Sequence, residues 1–134
     1  MKKYTNILYW IAMAGLLAYF AYTKGWILAD FKSITPQQAK IMISDDDNIT
    51  ILDVRSIEEF KSGHLRGATL IPLSRLEANL GKLSAFKDKK IIVYCRSGSR
   101  SVAASRILEK HGFTPLNVKG GIIGLSGAHV GLVK

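Results

Sequence analysis

The sequence predicts a small α/β domain that follows one membrane-spanning helix. From about residue 33 onwards, short runs of apolar, β-branched residues alternate with segments of helical character. This alternation is typical of a central parallel sheet with helices on both faces. The first 26 residues differ, because they include a long uncharged stretch. We therefore assign residues 1–29 to an anchor with a short linker, and residues 30–134 to one domain.

The anchor is predicted over residues 4–22, which contain no Asp, Glu, Lys or Arg. A helix of this length rises about 28 Å, close to the thickness of a bilayer's hydrocarbon core. A cleaved signal peptide is the alternative, but bulky aromatic residues stand where its cleavage site needs small ones. Aromatic side chains gather near both ends of the span, as in the belts at membrane interfaces: Tyr4, Tyr9, Trp10, Tyr19, Phe20, Tyr22 and Trp26.

The lysines around the anchor indicate its orientation. Lys2, Lys3 and the terminal amine precede the span, whereas Lys24 and Lys32 follow it. The positive-inside rule then favours, by about one charge, a cytoplasmic amino terminus. The domain is accordingly expected on the outer side of the membrane, which is the periplasm in a Gram-negative bacterium.

The domain is predicted to begin with a helix in "SITPQQAKIMI". Thr35 suits its cap, Pro36 stands in the first turn, and Gln38 lies three residues after the cap. "DDDN" at residues 45–48 then breaks the chain. These aspartates lack the alternating spacing and the later glutamate of a calcium-binding loop, so we interpret them as a solvated turn.

Two strands and two helices are predicted next. "ITILDV" is an apolar, β-branched run that suits a buried strand. "SIEEFKSGH" predicts a short helix with Ser56 as its cap and Gly63 at its end. "ATLIPL" predicts a second strand, which Pro72 closes. "SRLEANLGKL" predicts a helix that ends near Gly81.

The last four predicted elements surround the only cysteine. "KKIIVY" predicts a third strand, and "SRSVAASRILEKHG" predicts a helix that Gly112 stops. "TPLNV" predicts the last strand, and "GGIIGLSG" predicts a short helix. Cys95 follows the third strand directly. Because parallel sheets form their ligand sites at the carboxyl ends of strands, Cys95 stands where this architecture places ligands.

The overall charge of the chain leaves three classes of partner to consider. The formal net charge of +9 suits a nucleic acid, a membrane surface or a small anion. The basic residues are scattered and show no aromatic–basic pattern for base stacking, so we expect no nucleic-acid partner. A single cysteine excludes an intramolecular disulfide and a multi-cysteine metal site. It leaves a buried inert thiol, an intermolecular bridge or a nucleophile.

Cys95 begins the loop "CRSGSR", which joins the third strand to the following helix. Such a loop directs backbone N–H groups inward, and Gly98 permits the tight curvature. The helix amino terminus adds partial positive charge, and Arg96 and Arg100 add full charges. Each of these favours the thiolate form and hence a nucleophilic Cys95. An inert thiol is less favoured, because arginine neighbours suit an apolar pocket poorly.

From about residue 33 to its end, the sequence resembles the rhodanese domain family of sulfurtransferases. "ILDVRSIEEFKSGHLRGATLIPL" is similar to the family's first signature, and "IIVYCRSGSRS" is similar to its active-site loop. "VKGGI" resembles the double glycine after the family's last strand. Leu125 is a departure, because many members have tryptophan near this position. The departure affects packing and the substrate rim rather than the chemistry of Cys95.

The resemblance implies that Cys95 accepts a sulfane sulfur and becomes a persulfide. The arginine-bearing loop resembles thiosulfate-type members more than mercaptopyruvate-type members, so a thiosulfate-like anion is the implied donor. A thiol, or cyanide in the test tube, would accept the sulfur, and we expect neither a cofactor nor a metal. The implied binding residues, whose backbone N–H groups would cradle the sulfur and the donor, are Arg96, Ser97, Gly98, Ser99 and Arg100. Arg96 and Arg100 would also help to bind a donor such as thiosulfate.

Two other functions stay open at this point. A membrane-tethered persulfide carrier or sensor would use the same residues without useful turnover. Rhodanese-like phosphatases and arsenate reductases separate their cysteine and arginine by five residues, whereas four lie between Cys95 and Arg100. The smaller ring suits a single sulfur atom better than a tetrahedral oxyanion.

Outside the loop, Asp53 and Arg55 are candidates for supporting roles, and two further residues are interpreted as structural. Asp53 resembles the family's aspartate that helps to hold the active-site region, and a carboxylate that caps a helix or bonds a loop is an equal alternative. Arg55 and Glu59 are expected to form a structural ion-pair network. His64 is interpreted as structural, because a thiolate activated by its loop needs no base.

Overall fold

The computed structural model describes residues 2–24, 31–45 and 48–134. Three expectations lie wholly or partly outside these ranges: the linker after the anchor, the belt residue Trp26 and the turn at residues 45–48. In chain order, the elements are α1 (Lys2–Thr23), β1 (Lys32–Ile34), α2 (Pro36–Asp45), β2 (Ile49–Asp53), α3 (Ile57–Ser62), β3 (His64–Leu65), β4 (Thr69–Leu70), two 3₁₀ helices (Leu73–Arg75 and Glu77–Phe86), β5 (Lys90–Tyr94), α4 (Ser99–Lys110), β6 (Thr114–Val118), α5 (Gly121–Gly127) and β7 (Leu132–Val133).

Five strands form a parallel sheet in the order β1-β6-β5-β2-β4, which confirms the predicted fold class. β5 is central, and its last residue, Tyr94, is in register with Asp53 at the end of β2. Because all five strands run in one direction, their carboxyl ends meet at one edge of the sheet. Cys95 follows the central strand at that edge.

Side chains along β5 alternate between two hydrophobic cores. Ile91, Val93 and Cys95 belong to the core that includes residues of α4 and the 3₁₀ helices. Ile92 and Tyr94 belong to the core on the other face, which includes residues of α2 and α5. This is the period-two geometry of a strand. It places the Cys95 thiol on the α4 face of the sheet and the Tyr94 ring on the opposite face.

The predicted starts of the first two domain helices are confirmed. At α2, the Gln38 N–H donates to the Thr35 hydroxyl at 3.1 Å, and the Thr35 N–H donates to the Gln38 side-chain oxygen at 2.9 Å. Ser56 and Glu59 form the same reciprocal capping box at α3. Each box pairs backbone N–H groups that a helix start otherwise leaves unbonded, which is why these short helices begin where they do.

The prediction of one helix ending near Gly81 is wrong in type and in length. The segment forms two 3₁₀ helices, and the second continues to Phe86. Asn79 interrupts the helical geometry with φ −118° and ψ 17°, and its side-chain amide donates to the Arg75 carbonyl at 2.8 Å. This side-chain bond offers the backbone an alternative to a regular α-helix.

Three short strands were not predicted. β1 pairs with β6 in parallel at one edge of the main sheet. β3 and β7 form a separate antiparallel pair. Each contains only two or three residues, too few for an alternating pattern, and each exists because it pairs with a distant segment.

Helix α1 is long and apolar enough to cross a membrane over Lys3–Thr23. Its last turn contacts the domain through Arg106 of α4. The Arg106 guanidinium donates to the Tyr22 carbonyl at 2.7 Å and lies 3.8 Å from the centre of the Tyr22 ring. The helix end is therefore joined to the helix that follows Cys95 in the chain.

Candidate active site

The reaction loop, residues 95–100, turns the chain sharply from β5 into α4. Gly98 is the residue that caps α4, and its φ of 111° lies in the left-handed region that favours glycine. A Cβ atom at this position would lie 3.4 Å from the Gly120 nitrogen. Glycine at residue 98 therefore meets a backbone requirement and a packing requirement together.

The Cys95 thiol is buried, with 1% of the residue exposed. The Gly98 N–H donates to Sγ at 3.1 Å, and Sγ lies 3.5 Å from the hydroxyl oxygen of Ser101. As a thiol, Cys95 donates to the hydroxyl; as a thiolate, it accepts from both groups. Ser101 is fully buried. Sequence analysis did not identify Ser101 as a functional candidate. Its position in the first turn of the helix that follows the cysteine loop could have indicated that its hydroxyl lies near the thiol.

The double glycine after β6 lets α5 dock on the reaction loop. The Ile122 N–H donates to the Cys95 carbonyl at 2.8 Å, and the Ile123 N–H donates to the Arg96 carbonyl at 3.3 Å. Gly121 has a φ of 56°, and a Cβ atom there would lie 2.5 Å from both carbonyl oxygens. Only glycine allows this approach without displacement of the loop.

Glu59 and Arg100 join α3 to the first turn of α4. The two guanidinium nitrogens of Arg100 donate to the two Glu59 oxygens at 2.7 and 2.9 Å. The hydrogen bond to Arg100 lowers the pKa of Glu59 to about 2. The expected Arg55–Glu59 network is thus wrong in its pairing: Glu59 binds the loop arginine, and Arg55 binds Asp53.

Asp53 and Arg55 form a buried pair beneath the other face of the sheet. The Arg55 side chain donates to the Asp53 carboxylate, with a shortest distance of 2.7 Å, and also to the Gly63 carbonyl at 2.7 Å. Its guanidinium lies 5.5 Å from the centre of the Tyr94 ring. Burial and a hydrogen bond to Asp53 raise the pKa of the Tyr94 hydroxyl. The pair therefore contacts the residue before Cys95 rather than the thiol.

The predicted binding residues differ in exposure. Arg96 and Ser97 are exposed, Gly98 is buried, and Ser99 and Arg100 are partly buried. Of the five predicted backbone donors, the Gly98 N–H is the one within hydrogen-bond distance of Sγ among the described contacts. The exposed side of the loop is thus formed by its second and third residues.

His64 has structural partners. Its Nδ1 lies 2.8 Å from the Phe60 carbonyl, and its ring stacks on the Phe60 ring with centroids 3.6 Å apart. Within the described ranges, no group of three or more His, Cys, Asp or Glu side chains is placed to hold a metal ion.

A shallow recess of about 370 Å³ lies beside the reaction loop. It adjoins the loop because Glu59 binds Arg100 and because Ile122 and Ile123 donate to the loop carbonyls. One side is ionic and the other apolar. The lining residues are Arg55, Glu59, Ser62, Gly63, Ile122, Ile123, Ser126 and Leu132.

Comparison with known proteins covers most of the chain. The model of the family described as "Rhodanese-like domain" matches residues 35–128. The "Putative sulfur carrier protein YrkF" of Bacillus subtilis is 36% identical over 80 residues, which are 60% of this chain and 42% of that protein. YibN of Escherichia coli (strain K12) is 32% identical over 127 residues, which are 93% of this chain and 87% of that protein.

A solved structure of a rhodanese-related protein has the same fold as this chain. The crystal structure of a rhodanese-related protein from Thermoplasma volcanium is 31% identical in sequence and superposes with a TM-score of 0.70. The match covers 77% of this chain and 98% of that one. By contrast, the chain spans less than half the length of YrkF.

Proposed function

The chain belongs to the rhodanese-like domain family, and on this premise we propose that it is a sulfurtransferase whose Cys95 carries a sulfane sulfur as a persulfide. Sulfur transfer is the activity associated with this family. The single observation that carries the proposal is the environment of the thiol, with the Gly98 N–H and the Ser101 hydroxyl both at Sγ. Donors in these positions stabilise a sulfur anion.

In the first half-reaction, the Cys95 thiolate attacks the sulfane sulfur of a donor such as thiosulfate. A new S–S bond forms at Sγ, the donor's own S–S bond breaks, and sulfite leaves with the bonding electron pair. The donor approaches from the exposed side of the loop, where the positive charge of Arg96 attracts anions.

In the second half-reaction, the thiolate of an acceptor attacks the outer sulfur of the persulfide. The Cys95 thiolate leaves and is ready for another donor, so the scheme is ping-pong with a covalent intermediate. Cyanide serves as acceptor in the test tube and yields thiocyanate. The Gly98 N–H and the Ser101 hydroxyl stabilise the Cys95 anion each time it re-forms.

A persulfide carrier without turnover is the second candidate, and the name of the relative YrkF supports it. A carrier would accept one sulfur per chain and hold it for a partner protein, whereas an enzyme would release many. Counting the thiocyanate formed per chain distinguishes these functions.

Phosphatase or arsenate-reductase chemistry is the weaker alternative. Four residues separate Cys95 from Arg100, and Arg100 donates to both oxygens of Glu59. An arginine held in this way does not present its guanidinium to a tetrahedral oxyanion. Hydrolysis of a phosphate ester by the wild-type protein would favour this alternative.

Helix α1 is proposed to anchor the domain in a membrane, with the domain on the outer side. The length and apolar character of Lys3–Thr23 support the anchor, and the one-charge bias of the flanking lysines supports the orientation. Anchoring requires that the chain stay in the membrane fraction after alkaline carbonate extraction. Protection of the domain from protease added outside intact spheroplasts would contradict the proposed orientation.

The sulfurtransferase proposal is tested by a single substitution in the full-length chain in detergent. Cys95→Ser is expected to lower thiocyanate formation from thiosulfate and cyanide by at least about a thousandfold, because the nucleophile is lost. Ser84→Ala, at an exposed serine of the second 3₁₀ helix and outside the loop, is the matched control and should retain activity. A Cys95→Ser variant with the wild-type rate would show that the assignment is wrong.

A further inference from the structure

Three arginines lie around the reaction loop, and two of them are paired with carboxylates. Arg55 forms a buried pair with Asp53. Arg100 binds both oxygens of Glu59. Arg96 is exposed and makes no ion pair within the described ranges. Of these three cations, Arg96 is the one that can meet an incoming anion directly.

The formal charges of this group cancel when Cys95 is a thiolate. The three guanidinium groups contribute +3, and the two carboxylates together with the thiolate contribute −3. The repulsion between the thiolate and a donor grows in proportion to the donor's charge. A dianion such as thiosulfate therefore meets twice the repulsion that a monoanion meets, at a site where the formal side-chain charges sum to zero.

We propose that Glu59 determines the donor specificity of this site. By neutralising Arg100, Glu59 disfavours dianionic donors and favours sulfane donors with one negative charge or none, which is the class of low-molecular-weight or protein-bound persulfides. The inference rests on the proposed sulfurtransferase function and adds the class of its donor.

The hydrogen bond to Glu59 and, to a smaller extent, the charge of Cys95 raise the pKa of Arg100, so Arg100 interacts with charge at the thiol. The two donor classes leave different charges there. When thiosulfate reacts, its S–S bond breaks and the bonding pair leaves on sulfite, a dianion. When a neutral hydropersulfide reacts, the bonding pair leaves on a thiolate, which takes up the proton that the transferred sulfur gives up. An unpaired Arg100 would stabilise the sulfite dianion, and its pair with Glu59 weakens that interaction.

The capping box at the start of α3 requires a side-chain oxygen at residue 59, but it does not require a negative charge there. The Ser56 N–H donates to a Glu59 carboxylate oxygen at 3.4 Å, and the Glu59 N–H donates to the Ser56 hydroxyl at 3.3 Å. Glutamine makes both bonds, because a capping box accepts Glu or Gln at this position. Glu59→Gln therefore retains the cap and removes the charge that holds Arg100.

Glu58 offers a matched control on the same helix. It is exposed and takes part in no ion pair among the described residues. Glu58→Gln changes the net charge of the chain by the same amount as Glu59→Gln. A difference between the two variants is thus an effect of position, not of overall charge.

The test compares two donors with the full-length chain in detergent: thiosulfate, a dianion, and 2-hydroxyethyl persulfide, which bears at most one negative charge. Glu59→Gln is expected to raise kcat/KM for thiosulfate about tenfold, mainly through a lower KM, and to change kcat/KM for the persulfide by less than about twofold. Salt at about 0.5 M should remove most of the gain, because partly exposed charges are screened. Glu58→Gln should change neither value.

A second measurement keeps the inference separate from the proposed function. In the Cys95→Ser background, calorimetric titration with thiosulfate should show tighter binding when Glu59→Gln is added. Unchanged or lower thiosulfate efficiency in Glu59→Gln, while sulfur still loads onto Cys95, would overturn the role of Glu59. If no variant transfers sulfur from either donor, the sulfurtransferase proposal fails. The titration tests the role of Glu59 separately: if Glu59→Gln leaves thiosulfate binding unchanged, the specificity inference is overturned.

Discussion

At the scale of single residues, the account depends on the two groups that contact the Cys95 thiol. The Gly98 N–H comes from the loop backbone, and the Ser101 hydroxyl comes from the first turn of α4. Both are buried with the thiol, so water does not compete for these bonds. The loop backbone and one side chain together contact the sulfur atom.

Ser101→Ala is expected to slow sulfur transfer about tenfold, because a buried hydrogen bond to an anionic sulfur is lost. The substitution removes one oxygen from a helical position where alanine is favourable, so folding should be preserved. The measurement is the rate of the donor half-reaction together with the rate at which iodoacetamide alkylates Cys95. Ser105→Ala, at a buried position one turn further along α4 where the hydroxyl has no hydrogen-bond partner among the described residues, serves as the comparison. Equal rates in both variants would assign Ser101 a packing role only.

The residues also show how far sequence reasoning reaches. Cys95 and its loop were predictable, because a cysteine between a strand and a helix is a local pattern. The pair of Glu59 with Arg100 joins residues 41 positions apart, and no local pattern contains that information. Strand alternation puts Asp53 on the face opposite the thiol, in register with Tyr94. The resemblance to the family's aspartate carried no information about this face.

At the scale of elements, α5 supports the reaction loop only because two glycines precede and begin it. The first has a φ of 77° and the second a φ of 56°. The helix then donates to the Cys95 and Arg96 carbonyls. The backbone carbonyls of the loop are thus held by α5, and the end of the loop is held because it forms the start of α4.

Gly121→Ala should destabilise the domain by about 3 kcal/mol or more, because its Cβ atom would lie 2.5 Å from two carbonyl oxygens at a left-handed backbone position. Urea unfolding measures the loss. Gly127→Ala at the end of the same helix is the control, since nothing lies within 4 Å of a Cβ atom there. It should change stability by less than about 1 kcal/mol. A similar effect of both substitutions would refute the docking account of α5.

The Glu59–Arg100 pair predicts a dependence of stability on pH. The pKa of Glu59 is lowered to about 2 by its hydrogen bond to Arg100, and the unfolded value is about 4.5. The pair therefore stabilises the fold above about pH 4.5, and this contribution disappears as the pH falls towards 2.

Because both side chains are about one-third exposed, solvent limits the contribution to about 1 kcal/mol or less. Wild type should lose this amount relative to Glu59→Gln between pH 4.5 and 2, as measured by urea midpoints across that range. Parallel curves for the two proteins would contradict the assigned pair.

Helices and strands were predictable where residues near their ends, such as a capping serine or threonine, mark the boundary in the sequence. Thr35 and Ser56 cap α2 and α3 as their sequences indicate. The 3₁₀ segment was not predictable as such, because Gly81 looks like a helix stop and the interruption lies instead at Asn79. β1, β3 and β7 depend on distant pairing partners, so their residues alone do not specify strands.

At the scale of the whole molecule, Arg106 connects α1 to the helix that follows the reaction loop. Its guanidinium lies over the Tyr22 ring and donates to the Tyr22 carbonyl. A cation at the carboxyl end of a helix is also favoured by the helix dipole. The contact gives the domain a defined position relative to α1.

Arg106→Ala should release the domain from that position. Spin labels at Leu17→Cys on α1 and Lys110→Cys on α4, in the Cys95→Ser background, should give a narrow distance distribution with Arg106 present and a broad one without it. Arg66→Ala, at an exposed arginine of the domain, should leave the distribution narrow. An unchanged distribution in Arg106→Ala would show that this contact does not position the domain.

The most direct test of the central claim is the intact mass of the full-length protein after incubation with a sulfane donor. Thiosulfate and 2-hydroxyethyl persulfide should each add one sulfur, about 32 Da, that cyanide removes and that Cys95→Ser never acquires. Sulfur found on the Cys95→Ser variant would contradict the claim. So would the absence of added sulfur from both donors while Cys95 still reacts with iodoacetamide.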